Sequence, residues 1–424
     1  MYSLGQHPMS GSSTLQQSIW SRYQNEFGLV LAIIVVLGIT MQFDDSYKRS
    51  TYYTITENLQ QVALLGIFSL GVAVVIISGG IDLSAGTLIA FTGSVCALTT
   101  QAIAPRDEWG NGQLDLISHG GVGLGIVVAL AIGTLAGTWH AWLITSIKLP
   151  PFVATLATLV GLRSLTQVMN HAVTSRMDEA GNGSMSLNVS APLFATLREW
   201  WVAPVVFAIL CAIFWLLMNK TVLGRHLYAM GGNEQAARLS GINTDRLKWF
   251  AYSLSALTSS VAGILYLAFN SGCTPSSTAV GYELNGIAAT VVGGCSLQGG
   301  VGLIPGVILG VIFLRVVIDA VAKLVDHGST EWTGFIVGLM VVLAVAFNEL
   351  RRGSAFGSKQ LLPGMLGWLV IPIMTSIAGM VAFIINQGHR SEPALVVGGI
   401  VGILLLARKV YEIRQASISA VSKG

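Results

Sequence analysis

The sequence predicts an all-α, polytopic membrane helical bundle, and three observations point to that fold class. The 424 residues are 53% hydrophobic and only 10% charged, whereas a soluble domain carries roughly 25% charge. The mean hydropathy is +0.69, and long apolar stretches recur at the length of about 20 residues that crosses a bilayer as a helix. The 49 glycine residues suit helices that pack closely in lipid.

The apolar stretches predict twelve membrane spans, or ten spans plus two. The eighth stretch is short and is broken by the glycine pair Gly293 and Gly294. The predicted spans are 26–42, 59–78, 83–101, 120–147, 150–170, 201–218, 249–269, 284–298, 301–323, 331–348, 362–385 and 394–407.

The distribution of Lys and Arg predicts the orientation of the chain, because cytoplasmic loops are enriched in these residues. The 219–248 segment contains five of them, and basic residues also follow the tenth and twelfth spans. These segments and both chain ends are therefore predicted to be cytoplasmic. The loops 102–119 and 171–200 are less basic and are predicted to lie outside.

The predicted organisation has three parts. Residues 1–25 show no signal-peptide pattern and are predicted to be a cytoplasmic tail, either disordered or interfacial. Residues 26–352 form the main transmembrane domain. Residues 353–424 form a C-terminal extension with two further spans and a basic cytoplasmic tail.

Two glycine-rich breaks in the apolar pattern resemble each other. Residues 79–86 read Gly-Gly-Ile-Asp-Leu-Ser-Ala-Gly, and residues 293–300 read Gly-Gly-Cys-Ser-Leu-Gln-Gly-Gly. Matched helix breaks in duplicated halves often lie near the substrate route of a transporter, although a glycine-rich chain also produces such matches by chance. The predicted helix breaks and candidate pathway residues are Gly79, Gly80, Asp82, Ser84, Gly293 and Gly294.

Asp82 has two interpretations. It lies where a new helix would begin after the first break, so its carboxylate can accept the free N–H groups of the first turn. An ionisable residue so close to apolar spans is also a candidate substrate contact. The cap explains the residue fully and is the preferred interpretation.

Arg315, Asp319 and Lys323 are charged residues within a predicted span, and they are spaced four residues apart. That spacing stacks them on one helix face, where opposite charges neutralise each other. We therefore predict a structural ladder rather than an ion relay, which argues against a carrier driven by protons or sodium.

Common catalytic motifs are absent from the sequence. There is no Gly-x-x-x-x-Gly-Lys-Ser/Thr phosphate loop, so the chain cannot hydrolyse ATP through that kind of site. There is no His-Glu-x-x-His zinc pattern, and the four cysteines form no Cys-x-x-Cys pair, so they are predicted to be packing residues. The sequence predicts a protein that is not an enzyme and has no metal or cofactor of its own.

The 219–248 segment is unusually polar and basic for a loop between apolar spans, and we predict that it docks an ATP-hydrolysing partner. Asn233 is a suitable N-cap for a short helix that ends near Gly241, and the small face at Ala236 and Ala237 would enter a groove on the partner. Arg238 would pair there with an acid. The alternative is a merely solvated basic loop. The candidate coupling residues are Gly231, Gly232, Asn233, Glu234, Gln235, Ala236, Ala237, Arg238 and Gly241.

Four segments of the sequence form one recognisable set, namely 77–86, 151–165, 224–242 and 293–302. The first of them reads Ile-Ser-Gly-Gly-Ile-Asp-Leu-Ser-Ala-Gly and is the most recognisable. Together they resemble the permease subunit of bacterial ABC importers of the ribose, galactose, xylose and autoinducer-2 type, and the resemblance covers roughly residues 55–352.

The resemblance implies a ten-span permease core with broken helices that imports a monosaccharide across the bacterial inner membrane. Cytoplasmic ABC ATPase subunits would bind ATP and Mg²⁺, and a periplasmic substrate-binding protein would deliver the cargo. A second permease copy or a homologue would complete a dimer in the lipid membrane, with no nucleic acid involved. The alternatives are a permease for nucleosides or branched-chain amino acids, an ATP-independent secondary carrier, or a non-transporting membrane scaffold or receptor.

Overall fold

A computed structural model describes residues 24–44, 47, 50–105, 113–177, 183–324, 329–355, 368, 372, 375, 376 and 392–421. These residues are almost entirely helical, as predicted. The helices are α1 Gln24–Phe43, α2 Thr51–Ile77, α3 Ala85–Ile103, α4 His119–Thr145, α5 Pro151–Met177, α6 Pro192–Leu197, α7 Val202–Lys220, α8 Val222–Gly232, α9 Glu234–Leu239, α10 Thr244–Asn270, α11 Tyr282–Val292, α12 Ile304–Leu324, α13 Ser329–Ala355 and α14 Glu392–Val421, with a 3₁₀ turn at Leu114–Leu116 and the two-residue strands β1 Leu187–Asn188 and β2 Gly272–Cys273.

Eight helices within the described residues are long and apolar enough to cross a membrane, namely α1 to α5, α7, α10 and α12. They correspond to eight of the predicted spans, so the polytopic helical bundle is confirmed. Helix α13 contains a shorter apolar stretch, Glu331–Leu343. The predicted span 362–385 falls almost wholly outside the described residues, and the total number of spans stays a prediction.

The predicted span at 284–298 is wrong. Helix α11 has only 11 residues and ends at Val292, because the backbone leaves the helix at Gly294, where φ is +93°. A helix of that length rises about 16 Å, which is roughly half of the hydrocarbon core of a bilayer. Helix α11 is therefore a half-helix.

Helix α2 lies at the centre of the bundle, and nearly all of its apolar residues are buried. It packs against α7, α10, α11 and α12, while α10 also packs against α3 and α4. Glycines permit these close approaches, because a Cβ on Gly137 would lie 2.6 Å from the carbonyl oxygen of Tyr252, and one on Gly263 would lie 2.6 Å from that of Ile89. At these glycines the backbones of neighbouring helices therefore come into contact.

The chain divides into two compact units, residues 1–345 and residues 346–424. Within the second unit, the described part consists mainly of the end of α13 and helix α14, where the ammonium of Lys409 lies 6.0 Å from the ring centroid of Trp368. The predicted division of the chain at residue 352 into a core and an extension stays a prediction.

The predicted charge ladder on α12 is formed at two of its three residues. Lys323 Nζ donates to Asp319 Oδ2 at 2.9 Å, and the hydroxyl of Tyr47 donates to the same oxygen at 2.7 Å. Arg315 Nε is buried and has no hydrogen-bond partner among the residues that the structure describes. Lys323 and Tyr47 thus hold Asp319 through hydrogen bonds that do not include Arg315.

Candidate functional site

The 219–248 segment folds into three consecutive helical pieces, and a polar side chain caps each of them. Thr221 Oγ1 accepts from the N–H of Gly224 at 3.0 Å at the start of α8. Asn233 Oδ1 accepts from the N–H of Ala236 at 2.9 Å at the start of α9. Asn243 Oδ1 accepts from the N–H of Arg246 at 3.0 Å at the start of α10. The predicted cap at Asn233 is therefore present, and the segment is more ordered than a solvated loop.

Helix α8 was not predicted, because its glycines and basic residues are typical of a loop. The signal that would have found it is the Thr221 cap followed by apolar residues at helical spacing. Two of these, Leu227 and Met230, are 0% and 2% exposed. Helix α8 buries this apolar side against the bundle and leaves its polar side outward.

Gly241 ends helix α9 through its backbone conformation. Its φ is +82°, and its N–H donates to the carbonyl of Arg238 at 3.0 Å. The next N–H, that of Ile242, donates to the carbonyl of Ala237 at 3.1 Å. This pair of bonds is the Schellman arrangement, which requires a left-handed residue and so favours glycine.

Ionic contacts fasten α9 to the first turns of α10. Arg238 Nη2 donates to Thr244 Oγ1 at 2.8 Å and to Asp245 Oδ1 at 3.2 Å. Lys248 Nζ donates to Glu234 Oε1 at 2.7 Å. The pairing of Arg238 with an acid on a partner stays a prediction, since its guanidinium is bound within the chain through Nη2 while the side chain remains 54% exposed.

The exposed face of α9 differs from the one predicted. Ala237 is buried, so the small face predicted at Ala236 and Ala237 keeps only Ala236 outside. Gln235 is also exposed, and Leu239 is 90% exposed. The outer face of α9 therefore consists of Gln235, Ala236 and Leu239.

Four glycines from three separate parts of the chain meet at the end of α8, and we call them the glycine junction: Gly79, Gly231, Gly299 and Gly300. A Cβ on Gly231 would overlap the carbonyl oxygen of Ile77 and lie 2.6 Å from the nitrogen of Gly300. A Cβ on Gly299 would lie 2.8 Å from Gly79 Cα. The coupling segment therefore touches both helix breaks through bare backbone.

The two breaks share one hydrogen-bond pattern, which supports the resemblance between them. After α2, the N–H of Gly79 donates to Ile76 and the N–H of Gly80 donates to Val75, both at 2.9 Å. After α11, the N–H of Gly294 donates to Val291 at 2.9 Å, and the next N–H donates to Thr290 at 3.0 Å. Both helices thus end in Schellman motifs.

The sequence match pairs Gly79 with Gly293, but the backbone conformation pairs Gly79 with Gly294, one residue further along. The left-handed residues are Gly79, with φ of +86°, and Gly294, with φ of +93°. Ser78 and Gly293 both have ordinary negative φ and lie at the helix ends. Gly79 and Gly294 are therefore the helix breakers, whereas Gly80 and Gly293, which were also predicted to break helices, are not left-handed.

Asp82 is not the N-cap of α3, contrary to the preferred prediction, because the cap position is Ser84. The carboxylate instead closes a turn, with Oδ1 accepting from the N–H of Ser84 at 2.9 Å and from its hydroxyl at 2.6 Å. Oδ2 accepts from the hydroxyl of Ser255 at 2.7 Å. Asp82 is 0% exposed, so it ties the first break to α10 inside the bundle.

Tyr228 connects the coupling segment to the second break, and sequence reasoning missed it. Its hydroxyl donates to the carbonyl oxygen of Gly302 at 2.7 Å. Burial raises the pKa of the Tyr228 phenol to about 12, so the group stays protonated and able to donate at physiological pH. A single tyrosine in a polar segment gives no sequence signal for such a contact.

The opposite end of α10 carries a different kind of surface. There β1 pairs antiparallel with β2, with Leu187 opposite Cys273, and Arg198 Nη1 donates to the hydroxyl of Ser271 at 2.6 Å. A cavity of about 250 Å³ lies beside the strands. It is lined by Ser186, Asn188, Tyr266, Asn270, Gly272, Cys273, Thr274, Ser277 and Thr278.

The sequence of the chain was compared with those of known protein families. Residues 54–345 match the family described as branched-chain amino acid transport system / permease component, and this range holds both breaks and the whole coupling segment. The chain belongs to this permease family. The resemblance to ABC import permeases found in the sequence is therefore confirmed, and so is the prediction of a transport subunit rather than an enzyme.

Several curated proteins are similar to this permease. It is 32% identical over 325 residues to the ribose import permease protein RbsC of Escherichia coli, covering 76% of this chain and 93% of RbsC. It is 33% identical over 350 residues to the probable ABC transporter permease protein y4mJ of Sinorhizobium fredii, covering 81% and 96%. It is 28% identical over 347 residues to the galactose/methyl galactoside import permease protein MglC of Escherichia coli, covering 80% and 98%. No solved structure matches the permease.

Proposed function

We propose that this permease imports a monosaccharide of the ribose or galactose class across the bacterial inner membrane, using ATP hydrolysed by separate subunits. The names of RbsC and MglC support the substrate class. Substrate-binding and ATPase partners follow in general terms from the ABC import type. ATP and Mg²⁺ belong to the ATPase subunit, so this chain needs no cofactor of its own.

The observation that carries the proposal is the glycine junction. An ATPase that docks on the outer face of α9 would push on α8, since α8 and α9 are joined directly at Asn233. Gly231 of α8 contacts both helix breaks, and Tyr228 of α8 holds the loop at Gly302. Movement of the docking helix therefore reaches the ends of α2 and α11 without an intermediate side chain.

The proposed arrangement in the membrane places α8, α9 and both termini in the cytoplasm, because the basic residues cluster there. The end of α10 that carries β1 and β2 then faces the periplasm, where the substrate-binding protein would dock. A second permease copy or a homologue completes the transporter. The pathway would lie along the two broken helices, where discontinuous spans offer polar backbone in the membrane.

Reconstitution in proteoliposomes tests the function. Purified permease, its ATPase and its substrate-binding protein should take up labelled ribose or galactose only when ATP is present on the ATPase side. Uptake driven by a proton or sodium gradient without the ATPase would overturn the proposal. The family description names branched-chain amino acids, so leucine uptake at a higher rate than either sugar would replace the substrate class and keep the mechanism.

A further inference from the structure

A cavity of the first unit lies apart from the glycine junction, between the half-helix α11 and helices α12 and α13. Its volume of about 520 Å³ falls within the range of about 300–1,000 Å³ typical of small-molecule sites. We call it the α11 cleft. It is lined by Val280, Gly281, Tyr282, Leu284, Asn285, Arg315, Ile318, Ala322, Thr333, Gly334, Val337, Gly338 and Val341.

Arg315 is the charged residue in the lining of the α11 cleft. Its Nε is buried without a hydrogen-bond partner in the described part of the chain. The carboxylate one turn away, Asp319, already accepts from Lys323 and Tyr47 through Oδ2. On α12 itself this face carries two cations and one anion, and Arg315 is the cation that lines the cleft.

The start of α11 adds a second feature of the same sign. Gly281 has φ of +80° and no side chain to cap the helix, and Gly281, Tyr282 and Asn285 all line the cleft. The N-terminal end of a helix carries a partial positive charge, and half-helices in transporters direct such ends at anionic substrate groups. Glu283, the acid of this turn, is not in the lining and approaches Gly86 of α3 instead.

The cleft also has open space beside Arg315. A Cβ placed on Gly334 or on Gly338 of α13 would meet no atom within 4 Å, so part of this wall lacks side chains. The rest of the lining is mainly apolar, and a guanidinium whose buried Nε lacks a hydrogen bond among the described residues is costly in such surroundings. A ligand that brings a carboxylate or phosphate would remove that cost, because guanidinium binds both through paired hydrogen bonds.

We propose that the α11 cleft binds the acidic group of a hydroxylated cargo, such as a sugar acid or a sugar phosphate, with Arg315 as the cation and Asn285 as a hydrogen-bonding partner. The inference rests on the proposed import function and extends its substrate class from neutral to acidic monosaccharides. An anionic lipid headgroup has the same acidic chemistry, so the test must separate the two sources.

The test measures binding to the full chain in nanodiscs of zwitterionic phosphatidylcholine, without any ATPase. The probes are two matched pairs, galacturonate with galactose and ribose 5-phosphate with ribose. At least one acidic sugar should bind about tenfold or more tightly than its neutral partner. Arg315→Gln should abolish that preference, Arg315→Lys should keep part of it, and the exposed Arg225→Gln on α8 should keep all of it.

Three results would overturn the inference: equal binding within both pairs, a preference that survives Arg315→Gln, or a preference for the neutral sugars. A separate arm adds phosphatidylglycerol to the nanodiscs. If lipid is the true occupant, this lipid will be retained by the wild type and lost from Arg315→Gln, while acidic sugars bind no better than neutral ones. ATP-driven uptake of neutral ribose alongside such a result would leave the proposed function intact and remove only the inference.

Discussion

The backbone N–H of Gly300 donates to the carbonyl oxygen of Ile77 at 2.8 Å, so the last carbonyl of α2 is bonded to the loop that follows α11. Gly231 lies against the same carbonyl. Three distant parts of the chain are thus joined at one peptide group. The predictions below test whether this joint and the helices beside it couple ATP hydrolysis to transport.

Replacing Gly231 by alanine should reduce transport more than a glycine-to-alanine change at any other position of the 219–248 segment. The added Cβ would overlap the Ile77 carbonyl, and overpacking of this kind costs about 1–3 kcal/mol. The change should lower the thermal unfolding temperature of the purified permease and reduce ATP-driven uptake. Gly232→Ala is the control, since its Cβ would meet nothing within 4 Å; equal damage in both variants would contradict the account.

Replacing Gly241 by valine should uncouple ATP hydrolysis from transport while the protein still inserts in the membrane. The space around Gly241 is open, so the effect comes from its φ of +82°, which costs an ordinary L-residue about 1–2 kcal/mol. Asparagine tolerates that conformation better, so Gly241→Asn should transport more than Gly241→Val. Normal uptake per ATP hydrolysed in the valine variant would count against a coupling role for α9.

Replacing Leu239 by aspartate should weaken docking of the ATPase without destabilising the permease. Leu239 is 90% exposed and makes no important contact within the bundle, so unfolding should be unchanged within about 0.5 kcal/mol. Co-purification with the ATPase subunit measures the loss. Leu116→Asp is a matched control, because this leucine is 66% exposed and lies in the 3₁₀ turn Leu114–Leu116, outside the coupling segment. If both variants lost the ATPase subunit to a similar extent, the cause would be the added surface charge and not the position on α9.

Replacing Tyr228 by phenylalanine should cost about 1 kcal/mol of stability, because the Gly302 carbonyl loses its donor. The pH dependence has a definite sign. Burial raises the pKa of this phenol from 10.0 to about 12, so the contribution is complete below about pH 10 and is lost as the pH rises toward 12. Unfolding of wild type and variant, followed by circular dichroism at pH 7 and pH 11, should therefore differ more at pH 7.

Local features of this chain were predictable from its sequence, and tertiary ones were not. The cap at Asn233 and the helix end at Gly241 depend on residues within one turn, so residue types sufficed to predict them. The partner of Arg238 is set by how α9 folds back on α10, which the residue pattern does not encode. The same holds for Asp82, whose bond to Ser255 requires α10 to pass beside the first break.

The two glycine breaks show the limit in a different way. Sequence alignment matched Gly79 with Gly293 because identical pairs of glycine were available. The backbone instead matches Gly79 with Gly294, since what is shared is the left-handed residue after the helix end. The glycine pairs could be recognised in the sequence, but only the hydrogen bonds of the folded chain show which glycine of each pair ends the helix.

The bond between Ile77 and Gly300 also has a consequence for biogenesis. Ribosomes make α2 long before Gly300 leaves the exit tunnel, so the nascent α2 enters the bilayer with that carbonyl still lacking its final donor. The full set of contacts at the first break therefore forms only after residue 300 has been synthesised.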